Sequence, residues 1–143
     1  MKTRRSSGRK GTNTRGQYAV FLSHSSRDTW LAEVIEKRIR AKKIKVWLDE
    51  MSLTGGEEIL AAVRRGIQNS NELIILASPS SIKSQWVSTE VGIAQGLSKR
   101  VTPLLNNIEP DDLGPAKGIK AYELNQFEKL LTELKRRAVR HGT

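Results

Sequence analysis

Four short, mostly apolar runs recur along this chain: Tyr18-Ala19-Val20-Phe21-Leu22, Ile44-Lys45-Val46-Trp47-Leu48, Leu73-Ile74-Ile75-Leu76-Ala77 and Val101-Thr102-Pro103-Leu104-Leu105. Each has the length of a strand and is too short for a helix, and consecutive apolar positions imply burial on both faces. Between and after them, apolar residues return at helical spacing. Trp30, Leu31, Val34, Ile35, Arg38 and Ile39 mark a helix to about Ala41, and Ile59, Leu60, Val63 and Ile67 a second. A third runs from near Lys83 to Leu97, and Phe127, Leu130, Leu131, Leu134 and Ala138 mark a last amphipathic one. Strands alternating with helices predict a parallel sheet, covered by helices on both faces and joined by right-handed crossovers.

Local signals punctuate this alternation. Ser25 with Asp28, and Thr54 with Glu57, have the spacing of capping boxes. Ser78-Pro79-Ser80 breaks the third run, and a polar, Pro-containing stretch at 106–118 leads into a short edge strand expected at 119–124. Ligands of such sheets meet the carboxyl ends of the strands. That edge collects the expected loops at 23–26 and 49–56 and the segment 78–84.

With 143 residues, one hydrophobic core suffices and two separate domains are not expected. No apolar run approaches the roughly 20 residues of a spanning helix. The basic N-terminus has no apolar stretch behind it, so it does not read as a secretory signal, and an intracellular, cytoplasmic protein is expected. Cysteine is absent, which removes disulfides, thiolate metal sites and a cysteine nucleophile, and two histidines far apart make a histidine-rich metal centre a poor reading. Of the net charge of +10, residues 1–16 hold six cations and no acid, leaving +4 for residues 17–143. The chain therefore divides into a basic tail, 1–16, expected to be disordered, and a folded domain, 17–143. A solvated arm is the plain reading of the tail, and contact with nucleic acid or anionic lipid the alternative.

Several site types fail on their spacing. There is no G-x-x-x-x-G-K-[ST], and Gly55-Gly56 is no G-x-G-x-x-G. Ser23-His24-Ser25 invites a hydrolase reading, but adjacent strand residues point to opposite sides and no G-x-S-x-G elbow is present. Gly92 and Gly96 lie four apart in the third helix, where each costs about 1 kcal/mol relative to alanine. Close packing on the sheet is expected to compensate, with a subunit contact as the alternative. The richest constellation is Ser84-Gln85-Trp86-Val87-Ser88-Thr89-Glu90, where Trp86 and Glu90 set an aromatic plane and a carboxylate on one helix face. A cation could sit there.

These residues resemble the Toll/interleukin-1 receptor (TIR) domain family, particularly its bacterial members. Phe21-Leu22-Ser23-His24 is similar to the family's first box. Val46-Trp47-Leu48-Asp49-Glu50 with Gly55-Gly56 resembles the second strand and its BB loop, and Ser78-Pro79, Ser84-Gln85-Trp86 and Glu90 resemble the segment carrying the catalytic glutamate of NAD-cleaving members. The similarity runs in order from Tyr18 to about Arg137. It implies an α/β, flavodoxin-like three-layer fold with a five-stranded parallel sheet flanked by helices. For many members it also implies cleavage of NAD+ between nicotinamide and ribose, to ADP-ribose or a cyclic isomer, in bacterial immune signalling.

On the matching positions the resemblance implies Glu90 as the catalytic residue. It implies Ser23, His24, Ser25, Asp49, Ser84 and Trp86 as substrate-binding residues, with no metal and no cofactor beyond NAD+ as substrate. Family members often self-associate, which implies TIR–TIR contacts that include the 49–56 loop with Met51 and Leu53. Some relatives place basic side chains after the first box, whereas this chain has Ser25 and Ser26. Other members are non-enzymatic scaffolds or adaptors, and that remains the alternative reading.

Overall fold

The computed structural model describes residues 17–51, 57–83 and 85–142, with side chains outside that description at 49–51, 57–59, 86 and 115. Five strands form one parallel sheet: β1 (Ala19–Ser25), β2 (Lys45–Met51), β3 (Glu72–Ala77), β4 (Arg100–Leu105) and β5 (Tyr122–Glu123), in the order β2-β1-β3-β4-β5. The helices are α1 (Thr29–Arg40), α2 (Glu57–Gln68), α3 (Pro79–Ile82), α4 (Gln85–Gly96) and α5 (Phe127–His141). Thr54 and the remainder of the expected 49–56 loop beyond Met51 lie outside the described residues, as does the tail at 1–16.

The period-two pleat of the strands divides the core into two layers. Even positions Val20, Leu22, Ile74 and Leu76 pack with Ala32, Ile35 and Ile39 of α1 and Phe127, Leu130, Leu131 and Leu134 of α5. Odd positions Phe21, Leu73, Ile75 and Ala77 pack with Val63 and Ile67 of α2 and Val87, Val91 and Ala94 of α4. The sheet is thus the middle of three layers, as expected. Each fully buried Leu or Ile contributes about 1.5–3 kcal/mol of apolar burial.

A polar cluster closes the amino-terminal edge of the sheet. Glu72, fully buried at the start of β3, accepts the Tyr18 hydroxyl at 2.5 Å and a two-nitrogen fork from Arg137 of α5, Nε at 2.9 Å and Nη2 at 3.0 Å. Burial, then the charge and hydrogen bond of Glu72, push the Tyr18 hydroxyl well above its usual range. Burial pulls the Arg137 guanidinium down, but its hydrogen bonds to Glu72 and that carboxylate's charge outweigh it.

Several local expectations are corrected. Residues 23–25 continue β1 and residues 49–51 continue β2, because the two strands stay in register through Ser25 and Met51. Ser78-Pro79-Ser80 ends β3 at Ala77 as expected, and in addition opens the short helix α3, for which Ser78 and Ser81 form a reciprocal capping box and Pro79 supplies a preset first turn. Ser25 caps a 3-10 turn at Ser26–Asp28, accepting from the Arg27 N–H at 3.2 Å, and does not cap α1. Trp30 is 76% exposed and Val34 is also exposed, so the buried arc of α1 is set by Ala32, Ile35 and Ile39. The edge strand is only Tyr122–Glu123. A Cβ on Gly92 or Gly96 would meet open space, so neither glycine serves close packing on the sheet.

Candidate active site

The strand order reverses direction between β1 and β3: the chain leaves β1 toward β2, then returns past β1 to add β3. In folds of this class ligands bind at such a reversal, outside the carboxyl ends of the strands. Ser23 lies near the carboxyl end of β1, in register with Ile75 of β3 and Asp49 of β2. Its odd position turns its side chain to the α2–α4 layer.

Glu90 meets it there. The buried stripe of α4 is Val87, Glu90, Val91 and Ala94, one helix face in which three members are apolar and one is a carboxylate. Ser23 donates its hydroxyl to Glu90 Oε1, and both residues are fully buried. A carboxylate removed from water costs several kcal/mol unless hydrogen bonds replace its hydration. A glutamate in an otherwise apolar stripe is therefore a position that core packing alone would not select.

The neighbouring polar groups are ordered by their own bonds. His24, on the even face, is buried on the α1 side of the sheet, with Nε2 3.4 Å from Thr29 Oγ1, which donates to the Ser26 carbonyl at 2.9 Å. Beyond the end of β3, Ser78 donates to Asp28 Oδ2 at 2.6 Å, joining the exits of β1 and β3. Ser81 donates to the Leu76 carbonyl at 2.9 Å and fixes the turn into α3. Ser23 and Glu90 are thus brought into contact, Ser25 stands two residues along the same strand, and Asp49 is paired with Ser23 through the backbone register. His24 sits on the opposite face of the sheet. Trp86 lies one turn before Glu90 on α4, its side chain outside the described residues, as is Ser84. Asp28 reads in the sequence only as a capping-box partner of Ser25, and nothing there signals its bond to Ser78.

A sequence profile described as TIR domain matches residues 20–135. The chain belongs to the TIR domain family. This TIR domain is 28% identical over 102 residues to the 2' cyclic ADP-D-ribose synthase BtTIR of Bacteroides thetaiotaomicron, covering 68% of this chain and 36% of that protein. It is 26% identical over 99 residues to the NAD(+) hydrolase PdTIR of Paracoccus denitrificans, covering 66% of this chain and 33% of that protein. The chain spans about a third of the length of these curated relatives. Its fold also matches the crystal structure of the TIR domain of the Toll-related receptor TRR-2 from Hydra magnipapillata, with a TM-score of 0.61 at 19% identity, over 84% of this chain and 99% of that one. Among the described residues no helix is long and apolar enough to cross a membrane.

Proposed function

We propose that this TIR domain is a cytoplasmic NAD+ glycohydrolase with Glu90 as its catalytic residue. The observation that carries the reading is the buried Ser23–Glu90 contact at the reversal of strand order, where folds of this class bind ligands. The names of the relatives, a cyclic ADP-D-ribose synthase and an NAD(+) hydrolase, support the same chemistry.

The reaction asks little of the protein. The bond between the ribose anomeric carbon and the nicotinamide nitrogen breaks, its electron pair leaves with nicotinamide, and the departing ring becomes neutral. No general acid is needed, unlike ordinary glycoside hydrolysis with its two carboxylates. Glu90 stabilises the positive charge that develops on the ribose and holds its hydroxyls, an interaction strongest in the transition state. Water then attacks to give ADP-ribose and a proton, or a hydroxyl of the same molecule attacks to give a cyclic isomer. On this reading Ser23 positions the carboxylate, Ser25, Asp49, Ser84 and Trp86 contact substrate, and His24 orders the β1 exit through Thr29.

Glu90 is 0% exposed, so the reaction requires an opened state. Self-association through TIR–TIR contacts that include residues 49–56 is the source we assign to it, with immune signalling as the biological setting. The same burial favours a second reading, a non-enzymatic scaffold in which the Ser23–Glu90 bond only ties α4 to the sheet.

Glu90→Gln separates the two, because it keeps shape and an acceptor for Ser23 while removing the charge. Released nicotinamide is quantified at high protein concentration, with melting temperature measured alongside. The enzyme reading expects turnover to fall by about 100-fold or more with the fold intact. Cleavage by the variant at the wild-type rate would remove Glu90 from the site, and a wild type that never cleaves NAD+, even when assembled, would establish the scaffold.

A further inference from the structure

We propose that the groove between the outer edge of β4 and α5 binds the phosphate chain of a small polyphosphorylated ligand. It lies at the amino-terminal edge of the sheet, opposite Ser23 and Glu90, and does not rest on the proposed activity.

The groove exists because β5 is too short. β4 pairs with β5 only at Leu104 with Tyr122 and Leu105 with Glu123, so among the described residues no strand lies beside the outer edge of Arg100 to Thr102. A cavity of about 470 Å³ fills that space. Small-molecule sites commonly occupy about 300–1,000 Å³, room for a nucleoside phosphate and too confined for a duplex to enter.

Its walls are cationic. Lys99, Arg100, Lys120, Arg136, Arg137 and Arg140 line it, with Glu133 paired to Arg136 and Glu72 to Arg137, a net +4. Residues 17–143 together carry +4, so the rest of the domain sums to zero. The positive charge of the domain is therefore concentrated in one concavity, whereas a merely solubilising surface would spread it. Apolar wall residues Val101 and Ile119 lower the local dielectric and focus the field of these cations. Thr102 and Gln95 add neutral donors.

One cation is held in place in advance. Glu72 grips Arg137 through Nε and Nη2, leaving Nη1 outside that fork, on a guanidinium whose orientation is set from behind. Arginine held in this way suits phosphate oxygens, which accept several charge-assisted bonds at once. The repulsion that remains among these cations, beyond what Glu72 and Glu133 offset, falls when an anion enters, so ligand and fold stabilise one another.

The test titrates the full chain calorimetrically with inorganic tripolyphosphate, ATP and adenosine, at low and at physiological ionic strength. Tripolyphosphate and ATP are expected to bind one to one, more weakly in salt, and adenosine not at all. Equal affinities assign the phosphate chain alone, and tighter ATP binding assigns a nucleotide. Arg100→Glu with Lys120→Glu, both exposed, should keep the melting temperature and weaken binding by about tenfold or more. Arg100→Gln with Lys120→Gln should weaken it less. Arg4→Ser with Arg5→Ser, in the basic tail, should leave it unchanged. Absence of saturable binding, unchanged affinity in the groove variants, or loss only in the tail variant would overturn the proposal. A DNA duplex that binds more tightly than either ligand and loses affinity with the groove variants would assign nucleic acid instead, and equally overturn it.

Discussion

A methyl group on Gly66 of α2 would stand 2.6 Å from Cε2 of Phe21, the buried aromatic ring of β1. The ring is held between α2 and α4 and cannot swing away at low cost. Gly66→Ala should therefore destabilise the domain by up to about 2 kcal/mol, since overpacking of about 1–3 kcal/mol opposes a helix-propensity gain of about 1. Gly92→Ala and Gly96→Ala face open space in the same class of helix and should each stabilise by about 0.5–1 kcal/mol. Urea midpoints of the three variants check both signs, and a stabilised Gly66→Ala would show that Phe21 yields.

Ser23→Ala removes the hydroxyl that Glu90 Oε1 accepts and leaves the carboxylate in place. A lost donor to a buried group costs about 1–3 kcal/mol, so stability should fall within that range. If Ser23 positions Glu90, turnover should also drop by about tenfold or more, with the loss in kcat and little change in KM. Ser23→Thr should restore part of the rate. A variant that is destabilised but turns over NAD+ normally would confine Ser23 to holding α4 against the sheet.

The Tyr18–Glu72 bond makes stability sensitive to alkali. An unfolded tyrosine loses its proton near pH 10, whereas Tyr18 in the folded domain is shifted upward by burial and by Glu72. The bond's stabilisation is full below about pH 10 and is lost as pH climbs toward the folded value, because only the unfolded state has released its proton in that window. Tyr18→Phe should be less stable than wild type at neutral pH and should lose less stability above about pH 10. Parallel denaturant midpoints across that range would contradict the linkage.

The three-layer architecture was legible because strands buried on both faces write themselves as continuous apolar runs, and all four such runs became strands. Trp30 was misplaced for a geometric reason. With about 100° per residue it lies half a turn round from Ile39, so an apolar side chain kept a helical spacing while facing water. Glu90 was legible as a candidate through its spacing and its likeness to a family. Its partner's role was not: the pleat sets Ser23 and His24 on opposite sides, but only the fold shows which side faces α4. The groove beside β4 was hidden as well: its cations come from three separate segments, and its shape depends on how few residues β5 contains.

The strand order carries a consequence for synthesis. Among the described strands β1 is made first, and it ends up inside the sheet, flanked by β2 and β3. A nascent chain can pair β1 with β2 early, but the other edge of β1, with Phe21 and Leu22 beside it, stays open until residues 72–77 have left the ribosome. An unpaired strand flanked by apolar side chains is a template for the wrong neighbour. The stretch between Met51 and Glu72 thus sets an interval of exposure during translation, which closes when β3 docks on the second edge of β1.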